Sequence, residues 1–223
     1  MINHGIDGNK LFLDSQDYAR LVHNLYEFND TEQTENLHRL FDPKMNDLGG
    51  RSFRGKRRIG KDLVEIHGWC LMDTHYHLLI SELVEGGLAK FMMRVNVGYA
   101  KYYNERYGRH GYVFRGKTKK VLVQNDAHFL YILHYIHLNP LDYLAGAKGW
   151  RERDKNAIKN AEEALQHLGE YRWSSYLDYC GKKNFPSLLT KDLFGDVSAD
   201  YKQEVARYLK DTELALIDEL VLE

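Results

Sequence analysis

The fold is decided by residues 63–81, which read LVEIHGWCLMDTHYHLLIS. The two apolar runs, Leu63–Met72 and His75–Ser81, are rich in the β-branched, aromatic and aliphatic residues that form buried strands. Asp73 and Thr74 lie between the runs and are typical of a tight turn. The stretch therefore predicts an antiparallel β-hairpin.

The second strand of this hairpin places two histidines on one face. Residues two apart on a strand point the same way, so His75 and His77 project side by side and Tyr76 projects to the opposite face. Two imidazoles in this arrangement can share one divalent ion. The same spacing also fits two half-buried polar residues on a sheet, and a stable metal site needs a further ligand.

The patterns around the hairpin predict three helices. The first covers roughly residues 16–28 and is capped by Asp14 or Ser15. A long amphipathic helix covers roughly 88–107 and ends at Gly108, and a third covers roughly 127–138 and ends before Pro140.

Short strands complete the predicted sheet. They are expected at Tyr112–Phe114 and Val121–Gln124, with a basic turn between them, and a vestigial first strand is expected near the N-terminus. This order predicts an α+β fold with helices packed on one face of an antiparallel sheet, the ferredoxin-like plan. Residues 1–146 carry this pattern, and residues 147–223 are expected to form a mostly helical C-terminal extension.

Charge is unevenly distributed along the 223 residues, although the net charge is only −1. Residues 51–120 hold 15 basic and 6 acidic side chains, whereas both ends of the chain are acidic. A basic middle is typical of a polyanion-binding face, and a solvated basic surface is the alternative. The candidate phosphate contacts are Arg51, Arg54, Lys56, Arg57, Arg58, Arg115, Lys117, Lys119 and Lys120, and Tyr112 and Phe114 are the candidate stacking residues.

The composition argues against several classes of protein. No apolar run approaches the roughly 20 residues of a membrane span, and the N-terminal residues do not resemble a secretory leader. Cys70 and Cys180 are the two cysteines, too few for a disulfide framework, which fits a reduced cytoplasm.

The third predicted helix carries a polar stripe. Tyr131, Tyr135 and Asn139 fall at i, i+4 and i+8. Tyr135 is expected at the edge of the buried face, where its hydroxyl could reach a metal-bound phosphate, although packing is the ordinary role of any of the 16 tyrosines. His128 and His134 are candidates for a base that would take the proton of the tyrosine hydroxyl, but both are expected to lie on the surface of the helix. The neighbouring apolar stripe is Phe129, Ile132, Leu133 and Ile136.

Several motifs together carry a resemblance to a known family. Over roughly residues 4–146 the chain resembles the single-tyrosine HUH transposases, the insertion-sequence-200-like group, and among these the REP-associated tyrosine transposases. The motifs are His75-Tyr76-His77-Leu78-Leu79, Gly98-Tyr99-Ala100-Lys101-Tyr102-Tyr103-Asn104, Phe114-Arg115-Gly116-Lys117 and Tyr135-Ile136-His137-Leu138-Asn139-Pro140.

The resemblance implies a specific site on the HUH nuclease fold. His75 and His77 match the family's metal-binding histidines, Tyr135 matches its nucleophile, and Asn139 takes the place of a third, amide-type ligand. The implied cofactor is Mg²⁺, with Mn²⁺ expected to substitute for it because Mn²⁺ accepts imidazole more readily.

The implied function is that of a transposase-like single-strand DNA endonuclease and strand transferase. Its substrate would be a DNA hairpin with a flanking single strand, and its intermediate a 5′-phosphotyrosine. A cytoplasmic, nucleoid-associated bacterial protein is expected, as a monomer or homodimer and without a membrane partner. The short first strand leaves a second hypothesis open, a domesticated and catalytically inactive DNA-hairpin binder. A third hypothesis is a metallohydrolase of another class.

Overall fold

The computed structural model describes residues 1–32, 60–123, 126–151, 158, 160–193 and 200–210. The strands are β1 (Ile2–His4), β2 (Val64–Met72) and β3 (His75–Glu82). The helices are α1 (Ser15–Glu27), α2 (Gly87–Arg106), α3 (Asp126–Leu138), α4 (Ala161–Glu170), α5 (Tyr176–Tyr179) and α6 (Tyr201–Lys210). Single 3₁₀ turns occur at Ile6–Gly8, Asn139–Tyr143, Lys148–Arg151 and Pro186–Leu188.

The hairpin forms as predicted and lies at the heart of a three-stranded antiparallel sheet. Its order is β1-β3-β2, so β3 is central. A β-bulge interrupts β2 between Ile66 and Gly68. Because of this extra residue, Ile66 and Trp69 contribute to the same core although they are three residues apart.

The strands predicted at 112–114 and 121–124 do not form. Phe114 and Lys119 each make a single bridge to β1, at Gly5 and Ile2. Residues 121–123 have no regular structure, and residue 124 lies outside the described residues. A three-residue β1 offers too few backbone groups for a longer partner strand. The connectivity is nevertheless β-α-β-β-α, followed by a segment that runs beside β1.

Helices cover both faces of the sheet, whereas the sequence predicted helices on one face. We call the two sides the α1–α2 face and the α3 face. Trp69, Leu71, Tyr76 and Leu78 point to the α1–α2 face. Cys70, Met72, His77 and Leu79 alternate with them and point to the α3 face.

The α1–α2 face is closed by large apolar side chains. Phe91, Val95 and Tyr99 recur every four residues along α2 and are fully buried against the sheet and α1. Full burial of such a side chain is worth about 1.5–3 kcal/mol, so this stripe fixes α2 on the sheet. Gly108 adopts φ 59° just after the helix and ends it, as the sequence predicted.

An ion-pair network joins the start of α1 to the end of α2. The Asp14 side chain caps α1 by accepting from the backbone N–H groups of Gln16 and Asp17. The buried Asp17 carboxylate accepts hydrogen bonds from the Tyr102 hydroxyl at 2.9 Å and from Arg106 at 2.6 Å. The predicted N-cap at Asp14 is thus confirmed, and it also orients the helix pair.

The α3 face is covered by α3 and by the C-terminal helices. A Cβ atom at Gly68 would lie 2.8 Å from Leu133 Cδ1, so glycine lets α3 approach the sheet closely. Tyr176, Tyr201 and Val205 are buried in the same cluster as α3. The described part of the segment after residue 147 therefore packs against the same core as residues 1–146.

Candidate functional site

His75 and His77 lie side by side on the α3 face, as the strand spacing predicted. Their ring centroids are 4.9 Å apart and the rings are nearly perpendicular. Tyr76 points the other way, and its hydroxyl donates to Asn96 at 2.7 Å. The alternation of β3 thus sends the two imidazoles towards α3 and leaves the tyrosine in the opposite core.

The protein environment keeps His77 neutral. Burial, assisted by the neighbouring His75, lowers the pKa of His77 well below its usual value. Neutral imidazole is the form that binds a metal. The Nδ1 atom of His75 forms a hydrogen bond of 3.0 Å with the Thr74 hydroxyl, which orients that ring.

A third histidine joins the pair and was missed by sequence reasoning. His4 on β1 is paired in register with His75, and the two rings stack at 4.9 Å. Only the strand pairing reveals this proximity, because 71 positions of chain separate the two residues. No cluster of three or more His, Cys, Asp or Glu arranged to hold a metal ion is found in the described ranges.

Tyr135 from α3 meets the histidine pair. Its ring centroid lies 5.8 Å from that of His77, in an edge-on arrangement. The side chain is buried, with 6% exposure, and the Trp150 ring lies 5.5 Å away. Tyr131, one turn earlier, is only partly buried and packs at 6.4 Å from both Tyr135 and Tyr208. Within the predicted stripe, it is therefore the ring of Tyr135 that lies against His77.

Arg151 completes the surroundings of Tyr135 and was not among the predicted site residues. Its guanidinium lies 5.7 Å from the centre of the Tyr135 ring. It also forms an ion pair with Asp142. Burial lowers the pKa of Arg151, but the interactions with Asp142 and Tyr135 outweigh this effect and hold the pKa above its ordinary value. No periodic pattern predicts such an approach, because Arg151 lies in an irregular segment after α3.

Asn139 is fully buried, and both polar atoms of its amide are engaged. Its Nδ2 donates to the Tyr135 carbonyl at 2.8 Å, and its Oδ1 accepts from Arg151 at 2.7 Å. The structure thus brings Asn139 to Arg151, and its Oδ1 keeps a second lone pair beyond the hydrogen bond from Arg151.

His134 is not the surface residue that the sequence predicted. It is buried, and its ring stacks on Tyr208 at 4.8 Å. His134 is buried through tertiary packing, because α6 covers this side of α3. The side chain of His128 lies outside the described residues.

The basic turn is exposed, but one of its aromatic neighbours is not. Arg115, Lys117, Lys119 and Lys120 are all exposed, and Tyr112 has 84% of its surface accessible. Phe114 is buried and packs about 6 Å from Tyr76 and Tyr99, so it does not present its ring for base stacking, contrary to prediction. The other predicted phosphate contacts, Arg51, Arg54, Lys56, Arg57 and Arg58, lie outside the described residues.

Comparisons with known proteins assign no family to this α+β chain. It matches no protein-family model, and neither the curated proteins nor the solved structures contain a significant match. Among the helices of the described segments, none has the length and apolar character needed to cross a membrane.

Proposed function

We propose that the chain is a single-strand DNA endonuclease and strand transferase in which Tyr135 is the nucleophile. The observation that carries this proposal is the contact between Tyr135 and His77, which come from separate elements and lie 5.8 Å apart by ring centroids. The β-α-β-β-α connectivity, with a segment beside β1, is also what a ferredoxin-like HUH fold requires. The exposed basic turn supplies charges for a DNA backbone.

The histidine pair has the chemistry of a divalent metal site. His75 and His77 would hold Mg²⁺ or Mn²⁺, because both imidazoles share one face and His77 is held neutral. Asn139 remains the proposed third ligand, through the lone pair of its amide oxygen that the hydrogen bond from Arg151 does not use. When bound, such an ion would polarise a phosphate oxygen and so favour attack at phosphorus.

Arg151 is the cation beside Tyr135 that would assist formation of the nucleophile. A phenol has a pKa of about 10, so little phenolate exists at neutral pH without help. The guanidinium of Arg151, 5.7 Å from the centre of the Tyr135 ring, supplies a positive charge that would offset the cost of forming a phenolate at this buried position. The phenolate oxygen then bonds to phosphorus, the bond to the 3′ oxygen breaks, and the departing 3′ oxygen takes up a proton. The resulting 5′-phosphotyrosine has a new ester bond to tyrosine in place of the one that broke. A DNA 3′-hydroxyl can therefore attack the same phosphorus and reverse the step.

A denaturing gel tests this proposal. The protein is incubated with end-labelled hairpin DNA that carries a single-stranded flank, in Mg²⁺ or Mn²⁺. A covalent adduct is expected with the wild type and none with Tyr135→Phe. Tyr131→Phe is the matched control, because it removes a hydroxyl one turn away on the same helix. An adduct that survives Tyr135→Phe and is lost in Tyr131→Phe overturns the choice of nucleophile.

A second experiment examines Arg151. In Arg151→Gln the adduct should form roughly 10²–10³-fold more slowly at neutral pH, the usual cost of removing one preorganised donor. The rate should recover as the pH rises towards the ordinary phenol pKa. A slower rate without this recovery contradicts a role in ionising Tyr135.

One observation favours a second candidate, a DNA-hairpin binder that does not cleave. Tyr135 is buried beneath Trp150 and Arg151, which lie in one 3₁₀ turn. A phosphate reaches the Tyr135 hydroxyl only if this turn moves. The same gel decides between the two candidates when it is combined with a binding assay, since tight hairpin binding without any adduct identifies the non-cleaving binder.

A further inference from the structure

The basic turn at residues 115–120 is fastened to β1, the strand that carries His4. The backbone N–H groups of Ile2 and Lys119 each donate to the other residue's carbonyl, at 3.0 and 2.9 Å. The N–H of Arg115 donates to the His4 carbonyl at 2.8 Å. The turn therefore bulges outwards between two points of attachment and lies opposite His4 at the edge of the sheet.

The pairing of β1 with β3 brings this turn close to the histidine pair. His4 is in register with His75, and the centroids of the two rings are 4.9 Å apart. Neighbouring strands of a sheet lie about 4.8 Å apart, so the backbone of the turn is about two such spacings from β3. Arg115 and Lys117 are exposed at this edge. A DNA strand that is held by the turn therefore passes close to the two imidazoles of β3.

Thr118 fixes the basic turn from the α1–α2 face of the sheet. Its hydroxyl oxygen accepts one hydrogen bond from Asn96 of α2 at 3.0 Å and another from Asn3 of β1 at 3.2 Å. The buried Tyr76 hydroxyl donates to Asn96 at 2.7 Å, so the network reaches the central strand. The turn is thus tied to the same framework that carries the histidine pair.

The charge of the basic turn makes this fixed position informative. Residues 115–120 hold four cations and no carboxylate, so ordering them brings like charges together and costs conformational entropy. The backbone bonds to β1 and the bonds to the Thr118 hydroxyl meet that cost in the protein itself. An anion that binds the turn does not have to order it again, and such preorganisation increases affinity.

We propose that Thr118 is a positioning residue that holds the basic turn so that Arg115 and Lys117 bind one particular phosphate of the single-stranded flank, close to the phosphate that Tyr135 attacks. This inference rests on the proposed DNA substrate and adds to it a fixed point of contact. A guanidinium forms paired hydrogen bonds with phosphate oxygens, and an ammonium acts as a point charge beside them. A turn that served only as a general positive surface would attract every linkage alike.

Fluorescence anisotropy on the full chain tests the proposal with labelled hairpin DNA in EDTA, where metal-dependent cleavage does not occur. Each hairpin of a series carries one neutral methylphosphonate, at successive linkages of the flank. The charge variant combines Arg115→Gln with Lys117→Gln. Its matched control combines Lys182→Gln with Lys183→Gln, because these two lysines are exposed and lie outside the turn.

Two further variants examine Thr118 itself. Thr118→Val removes the hydroxyl that Asn3 and Asn96 share but leaves every cation of the turn in place. Thr118→Ser keeps the hydroxyl and is the conservative control. Thermal unfolding followed by circular dichroism verifies that each variant is folded at the temperature of the assay.

One linkage of the flank should stand out in the wild type and in the Lys182 and Lys183 control. Its neutralisation should weaken binding about tenfold, the usual scale of a lost hydrogen bond to a charged group. The charge variant should bind unmodified DNA about tenfold more weakly, with a salt slope smaller by about 0.7, and should no longer respond to that methylphosphonate. Thr118→Val should lose the preference for that linkage although its charge is unchanged, and Thr118→Ser should keep it.

The proposal is overturned if no linkage stands out in the wild type. It is also overturned if folded Thr118→Val singles out the same linkage as the wild type, since Thr118 would then serve stability alone. The adduct gel remains a separate measurement. A preferred linkage without any adduct supports this inference and contradicts cleavage by Tyr135, whereas an adduct from a protein without a preferred linkage does the reverse.

Discussion

The strands β2 and β3 contribute side chains to both faces of the sheet. The two faces differ in the kind of side chain that packs between the sheet and the helices. On the α1–α2 face, Trp69, Leu71 and Leu78 meet the apolar stripe of α2, and the buried Asp17 carboxylate is paired with Arg106. On the α3 face, His77 and Tyr135 are packed among apolar residues. Both faces bury polar groups, such as Asp17 and Asn24 on α1 and His77 and His137 on the α3 side, and each costs free energy unless it is satisfied. We expect the α1–α2 face to contribute most to stability, and the α3 face carries the proposed site.

The largest loss of stability should come from removing a large side chain from the α1–α2 core. Tyr99→Ala removes a fully buried ring whose hydroxyl donates to the Leu11 carbonyl. We expect the free energy of unfolding to fall by about 3–5 kcal/mol, as for other large-to-small changes of buried aromatic residues. Urea unfolding measures this loss. Tyr112→Ala is the control and should change stability by no more than about 0.5 kcal/mol, because Tyr112 is exposed. If Tyr99→Ala and Tyr112→Ala lost the same free energy of unfolding, the α1–α2 core would not be the main source of stability.

Metal binding should stabilise the protein through the α3 face alone. At about 100 times its dissociation constant, a bound ion adds about 2.7 kcal/mol to the free energy of unfolding. Addition of Mn²⁺ should therefore raise the melting temperature, and chelation should reverse the change. His77→Gln should abolish this response, whereas His110→Gln should retain it because His110 is exposed on the other side. A response that is the same in both variants would place the ion elsewhere.

The α3 face should also make stability fall in mild acid. His137 is fully buried between the Tyr201 hydroxyl and the Ser175 hydroxyl, and burial, followed by His134, lowers its pKa. The unfolded histidine, with a pKa of about 6.5, takes up a proton that the folded one refuses. Stability is therefore complete above about pH 6.5 and falls by up to about 1.4 kcal/mol per pH unit below it.

Urea unfolding between pH 7 and pH 5 measures this slope. His137→Gln should reduce the slope by the share of one histidine, and His77, whose pKa is lowered in the same way, keeps its own share. The stability of His137→Gln at pH 7 should also be lower, because the two hydroxyls lose their partner. His110→Gln is the control and should leave the slope unchanged, since His110 is exposed. An unaltered slope in His137→Gln would show that His137 is protonated in the folded state.

The smallest effect belongs to the rim of the α1–α2 face. The hydrogen bond from Arg106 is the leading cause that lowers the pKa of Asp14. Asp14→Asn keeps an oxygen to cap α1 but removes the charge, and since Asp14 is half-exposed the loss should be only about 0.5 kcal/mol at neutral pH. The difference should vanish as the pH falls below the folded pKa and should shrink with added salt. A loss that persists in acid would mean that the cap, not the ion pair, is affected.

Local patterns predicted most elements of the fold. The alternating and apolar runs of residues 63–81 and the turn at Asp73 indicated the hairpin, and the α1, α2 and α3 helices begin and end within about two residues of the predictions. The shared face of His75 and His77 followed from the two-residue period of a strand. The strands near Phe114 were wrongly predicted because their only partner, β1, is three residues long.

The site itself was only partly predictable. The resemblance and the helical stripe pointed to Tyr135, but nothing in the sequence placed Arg151 against it or His4 against His75. The burial of His134 and Phe114 was likewise missed, because it depends on what packs over them. These contacts join positions far apart in the chain. The periodicity of apolar residues is a local property, so it does not show which distant residues will meet.

The amino-acid sequence by itself determined where strands and helices form and which side chains share a face, because these follow from the geometry of each residue and its near neighbours. Only the tertiary structure decided that helices cover both faces of the sheet. The same packing brings Tyr135 to His77 and buries Phe114 against Tyr76 and Tyr99. The physical reason is that such contacts arise when separate elements bury their apolar surfaces together, and that burial is a property of the whole chain.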